Sequence, residues 1–151
     1  MGMTFVYPAL TSESSTAKQV PGAVYEDEKT GKVYKYVKAG AAITMDTASQ
    51  LACALKVDES QATDNVVLMT TNAGEVIAGV SNSAITSGDY FWMQTKGVVT
   101  DAAVSSGSAG DPLVSHTTNG MFAVSANTDV GNIKAQLLEN VASSLADIEL
   151  L

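Results

Sequence analysis

Ile85-Thr86-Ser87-Gly88-Asp89-Tyr90-Phe91-Trp92-Met93-Gln94-Thr95-Lys96-Gly97-Val98-Val99 holds a Gly-Asp turn, a run of large apolar residues with the only Trp of the chain, and a second Gly. Residues two apart in a strand share a face. Phe91, Met93 and Val99 therefore fall on one side, and Tyr90, Trp92, Gln94 and Lys96 on the other. The first set reads as a core face. The second mixes aromatic and polar groups, which suits a contact surface better than a dry interior or open water. Gly97 reads as the residue that breaks the strand. Further on, Ala109-Gly110-Asp111-Pro112-Leu113-Val114 repeats the Gly-Asp step into an apolar run, with Pro112 restricted to a strand start or an edge.

The pattern extends in both directions. Gly22-Ala23-Val24-Tyr25-Glu26-Asp27-Glu28 and Lys32-Val33-Tyr34-Lys35-Tyr36-Val37-Lys38 flank Lys29-Thr30-Gly31 and read as a hairpin. Val33, Lys35 and Val37 point one way and Tyr34 and Tyr36 the other, with Glu26, Asp27 and Glu28 expected across from the lysines. Asn65–Thr71 and Glu75–Val80 read as strands. Asn119-Gly120 is a turn before Met121–Ala126, and Asp129–Asn132 a turn before Ile133–Leu138. The stretch Thr47–Val57 fits helix or strand, because short apolar runs cannot be arbitrated by period. Alternation at Ala146–Leu151 favours a last strand, although Val141, Leu145 and Ile148 also share a helical face. Short strands with turn signals every roughly eight to twelve residues predict an all-β fold, a small antiparallel barrel or sandwich.

Residues 1–20 differ from this body, residues 21–151, which reads as a single β domain. Phe5, Val6, Tyr7, Pro8 and Leu10 precede a small polar run, Thr11-Ser12-Glu13-Ser14-Ser15-Thr16. Such a segment reads either as a frayed terminus or as an extended arm that orders against a partner.

Composition narrows the function. The 151 residues are 46% hydrophobic and 16% charged, enough for a sizeable core. The net charge is −8 and every basic residue is a Lys. Without Arg or a basic excess, neither nucleic acid nor an anionic membrane is an expected partner. The opening residues carry no charged region before an apolar core, and no apolar run approaches the ~20 residues of a membrane span, so a soluble protein made in a cytoplasm is expected. Cys53, the single cysteine, sits in Leu51-Ala52-Cys53-Ala54-Leu55 and reads as a buried, inert thiol. His116, the single histidine, reads as a turn residue. No zinc cluster, nucleophile elbow or phosphate loop occurs, and Gly107, Gly110 and Asp111 lack the helix or oxygen set that a nucleotide or calcium site requires. No catalytic residue, metal or cofactor is expected.

Ala78-Gly79-Val80, then Gly88–Gly97, then Ala109-Gly110-Asp111-Pro112-Leu113 resembles, in order and spacing, the tailed-bacteriophage capsid decoration (cement) proteins. The hairpin at 21–37 and the tail from Ala135-Gln136-Leu137-Leu138-Glu139 to Asp147-Ile148-Glu149-Leu150 extend the likeness over most of residues 21–151. The resemblance implies a β-rich homotrimer, its barrel or sandwich jelly-roll-like or β-tulip-like, on the outer capsid surface of a virion. It would bind the major capsid protein at three-fold and quasi-three-fold positions and stabilise the head against its DNA. Two surfaces are then candidates: an arm through Phe5, Val6, Tyr7, Pro8 and Leu10 for the shell, and Tyr34, Tyr36, Tyr90 and Trp92 for trimer or capsid contact. The alternative is a virion-surface β module that binds a host glycan or protein; the glycan reading predicts a concave groove of aromatics and carboxylates and monomeric function.

Overall fold

A computed structural model describes residues 8–45, 50, 52–125 and 135–151. Phe5, Val6 and Tyr7, and the turn expected at Asp129–Asn132, lie outside the described residues. The fold is all-β, a single mixed sheet of ten strands. These are β1 (Val24–Asp27), β2 (Lys32–Ala39), β3 (Cys53–Val57), β4 (Val66–Met69), β5 (Gly79–Ser81), β6 (Tyr90–Ala103), β7 (Pro112–Ser115), β8 (Phe122–Val124), β9 (Ala135–Leu137) and β10 (Leu145–Leu150). A short 3-10 segment, Glu59–Asp64, joins β3 to β4 and is capped by the Asp58 carboxylate, which accepts from the Ser60 amide.

The strand order closes on itself. β2 pairs with β4, β4 with β3, β3 with β5, β5 with β6, and β6 returns to β2. The second half of β6 then pairs with β10, followed by β9, β7 and β8. A bridge from Phe122 to Val104 brings β8 back to the end of β6. Two rings thus share β6 as a common wall, and closure leaves few free strand edges. The ladders are antiparallel except β2–β4, which is parallel; the purely antiparallel expectation is corrected there, because β3 intervenes in sequence and β4 returns in the direction of β2.

Each ring has its own core. Val37, Ala39, Ile43, Leu55, Val67, Phe91 and Met93 fill the first. Val99, Leu113, Phe122, Leu137, Ile148 and Leu150 fill the second. The Phe91/Met93/Val99 face is therefore internal as alternation required, but it serves two different interiors. Gly97 does not end the strand. It adopts φ +96 inside β6, at the point where pairing passes from β2 to β10. A Cβ there would meet Lys32 Cγ at 3.0 Å and its Cα at 3.2 Å. The kink is held by Gln94, buried in the wall, whose amide donates to the Lys96 and Val98 carbonyls at 3.1 and 3.0 Å and accepts from the Asn82 amide at 3.2 Å.

Both Gly-Asp steps open strands. Gly88 has φ +87 ahead of β6, and Gly110 has φ +92 ahead of β7, where the Asp111 carboxylate accepts from the Ser108 amide at 2.9 Å. Pro112 is the first residue of its strand. The β1–β2 hairpin sets Asp27 opposite Lys32 and Glu26 opposite Val33. Asp27 does not reach across, however: its carboxylate turns back to the Lys29 amide and the Thr30 hydroxyl and so secures the turn. Of the strand expected at Glu75–Val80, only Gly79 onward joins the sheet, and Thr47–Val57 resolves into β3 from Cys53.

Candidate functional site

Alternation along β2 and β6 turns Tyr34, Tyr36, Tyr90 and Trp92 to the outer wall of the first ring. There they meet, because β2 and β6 pair with Tyr36 opposite Trp92 and Lys38 opposite Tyr90. Tyr36 lies 5.0 Å from Trp92 and stacks on Tyr90 at 6.1 Å between centroids. Tyr25 of β1 stacks on Tyr34 at 6.4 Å and meets Trp92 edge-on at 6.5 Å. The Lys38 ammonium sits 5.7 Å from the centre of the Tyr90 ring. Four of the sequence-selected residues are thus one cluster.

Their exposure differs from the expectation. Tyr36, Trp92 and Tyr34 are 0%, 5% and 9% exposed, and only Tyr90 remains half-buried. Burial, with the charges of Asp27 and Tyr25 behind it, holds the Tyr34 phenol above its usual range. The cover comes from the chain itself. Ala23 and Tyr25 close one side, and Leu10 of the N-terminal segment packs on the other. The expected contact face is a third core, and the described part of the expected arm lies on its own body. The physical reason is local supply: Pro8 and Leu10 find an aromatic wall within reach, and burying it removes apolar area from water.

A short set of hydrogen bonds holds the segment down. The Trp92 indole Nε1 donates to the Pro8 carbonyl at 2.9 Å. Ser14 and Tyr90 exchange both backbone bonds, at 3.1 and 2.8 Å. The Thr86 amide donates to the Glu13 carboxylate at 2.7 Å, and the Lys18 amide to the Tyr36 hydroxyl at 3.2 Å. A cavity of about 370 Å³ remains between this segment and the wall, lined by Leu10, Ser12, Tyr34, Ile85, Trp92 and Gln94 among others, with no carboxylate among the described lining residues.

A second polar constellation was not read from the sequence. Lys56 Nζ forms an ion pair with Glu75 Oε1, and the Glu75 carboxylate also accepts from the Thr71 and Asn72 amides at 2.6 and 3.0 Å. Burial by itself would raise the Glu75 pKa, but the Lys56, Thr71 and Asn72 donors together bring it down to about 2. Ser115 Oγ accepts from the Glu75 amide at 2.7 Å and donates to the Asn72 carbonyl at 2.7 Å, so the turn is tied to β7 of the other ring. The carboxylate is saturated by these donors and works as a clasp beside a cavity of about 640 Å³. Lys56 and Glu75 stand too far apart in sequence for a local pattern to link them.

The remaining reactive side chains have structural partners. Cys53 is buried, which pushes its thiol up to about 12. His116 Nδ1 accepts from the Thr118 amide at 2.9 Å within its turn. Among the described residues no group of His, Cys, Asp and Glu is disposed to hold a metal, and no helix is long and apolar enough to cross a membrane. Comparison with protein-family models, with curated proteins and with solved structures finds no match to the chain.

Proposed function

We propose that the chain is a structural virion protein, a decoration or cement protein. It binds the major capsid protein on the outer surface of a DNA-filled head and acts as a homotrimer at three-fold and quasi-three-fold positions. One observation carries this reading. The three segments that resemble the capsid decoration proteins are consecutive parts of one β scaffold: Gly79-Val80 in β5, Gly88–Gly97 opening the shared strand β6, and Gly110-Asp111 opening β7. The acidic balance without Arg suits a surface kept apart from packaged DNA.

The arrangement of the aromatics favours this reading over glycan binding. A sugar platform needs exposed ring faces beside carboxylates, whereas Tyr34, Tyr36 and Trp92 are covered and no carboxylate is among the described residues lining the adjoining cavity. With those rings covered, the apolar surface open in the free protein includes Val20, Val24 and Val76, at 70%, 67% and 56% exposure.

The test is to add purified protein to DNA-filled heads that lack it and to follow DNA release on heating. Saturable binding with a higher release temperature is expected. Heads that bind nothing, or that bind and gain no heat resistance, overturn the proposal.

A further inference from the structure

The segment from Pro8 to Val20 is thinly held. Of residues 8–14, Pro8 alone is fully buried; Leu10, Ser12 and Ser14 are half-buried, and Ala9, Thr11 and Glu13 are exposed. Residues 15–20 are all exposed. Among the described residues, 8–14 pair with β6 at one position, Ser14 with Tyr90, and about 370 Å³ beside them is unfilled. Little buried apolar area and few backbone bonds mark a unit that opens well below the global unfolding free energy.

We propose that residues 8–14 are a displaceable strap over a peptide-docking site: the wall floored by Tyr34, Ile85 and Trp92 receives an extended apolar segment of a partner, which replaces the strap. The occupant already in place defines the chemistry of its replacement. It presents a carbonyl to Trp92 Nε1, an aliphatic side chain to the rings at Leu10, and one extended residue paired with Tyr90. A partner segment with the same three features, and a bulkier apolar side chain in the unfilled volume, gains contacts that the strap lacks. On the function proposed above this partner is the major capsid protein, and that clause rests on the reading. The strap therefore keeps the aromatic wall from other copies in free solution and yields it at the shell.

Ser14→Cys with Tyr90→Cys tests this in the full chain. A hydrogen-bonded antiparallel pair sets its Cα atoms about 5.5 Å apart, within the roughly 4.4–6.8 Å that a disulfide spans. Cys53, buried with a poorly ionised thiol, does not compete. Hydrogen exchange on the wild-type protein comes first, since it needs no variant. Amides of Ser14 and Tyr90 are expected to exchange about 100-fold faster than those of Phe91 and Met93; equal protection overturns the strap.

Occupancy on DNA-filled heads comes second. The oxidised pair is expected to bind at least about 10-fold more weakly than the reduced pair, with recovery on reduction. Equal binding of the two forms overturns the strap and leaves the cement reading standing. If wild type and both forms all fail to bind, the cement reading and the capsid as partner fall together.

Discussion

Replacing Gly120 by Ala attacks the fold at a crowded glycine. Gly120 is the third residue of the turn Thr118–Met121, with φ +70. A Cβ there would fall on Cys53 Sγ, which is itself fully buried in the first ring. The backbone cannot back away cheaply, because the Gly120 amide donates to the Thr70 carbonyl at 2.9 Å and its carbonyl accepts from Ala54 at 2.8 Å. The left-handed conformation costs a residue with a Cβ about 1–2 kcal/mol, and overpacking a tight site adds about 1–3 kcal/mol. Together Gly120→Ala should lose about 2–5 kcal/mol, read from urea unfolding followed by the fluorescence of Trp92. Cys53→Ala removes the colliding sulfur at a cost of about 1 kcal/mol on its own. In the double variant only the backbone strain remains, so the two changes together should cost about 1–3 kcal/mol less than their sum. Additivity within about 0.5 kcal/mol would refute the steric argument.

The Glu75 clasp has a defined pH signature. Its folded pKa of about 2 lies below the ordinary 4.5, so the stability it contributes is complete above about pH 4.5 and drains away as pH falls toward 2. Glu75→Gln should cost about 1–3 kcal/mol at pH 7 and converge with wild type near pH 2; parallel unfolding curves from pH 7 to 2 would contradict it. Gln94→Leu removes the side-chain donor to the Lys96 and Val98 carbonyls at the β6 kink and should cost about 2–4 kcal/mol in urea unfolding; a loss below 1 kcal/mol would show that other donors or water satisfy them. Trp92→Phe deletes the bond to Pro8 and should speed amide exchange at Ser14 about 10-fold while leaving β10 unchanged. A change confined to the global unfolding rate would argue against that local role.

What the sequence revealed was local. The β1–β2 hairpin, the Gly-Asp strand starts, Pro112 at the head of β7 and the Asn119-Gly120 turn all follow from turn chemistry within a few residues. Alternation also sorted Phe91 and Met93 from Tyr90 and Trp92 correctly. The errors share a cause, which is dependence on distant partners. Gly97 reads as a breaker unless β2 and β10 are known to pair with opposite halves of one strand. Tyr34, Tyr36 and Trp92 read as a contact face because nothing near them announces that Pro8 and Leu10 return to cover them. Likewise Lys56 and Glu75 acquire meaning only once the β3–β4 excursion brings them together. The 3-10 segment did carry a local signal, Asp58 two residues ahead of Ser60, in the manner of an Asx turn.

The shared strand also sets an order of events during synthesis. All five strands of the first ring, from β2 to the first half of β6, lie between Lys32 and Lys96. That ring can close while the remainder of the chain is still on the ribosome. The second ring cannot close before β10 is made, because β10 joins β6 to β9 and follows both in the chain. Until Leu150 emerges, the far half of β6 and the short strands β7 and β8 have no complete sheet to join. Loop-closure entropy makes such late, long-range pairing slow, and unpaired edges invite association with other nascent chains. Deleting Ile148, Glu149 and Leu150 should therefore harm yield far more than the apolar area it removes would suggest, whereas the first ring needs nothing beyond Lys96 to close.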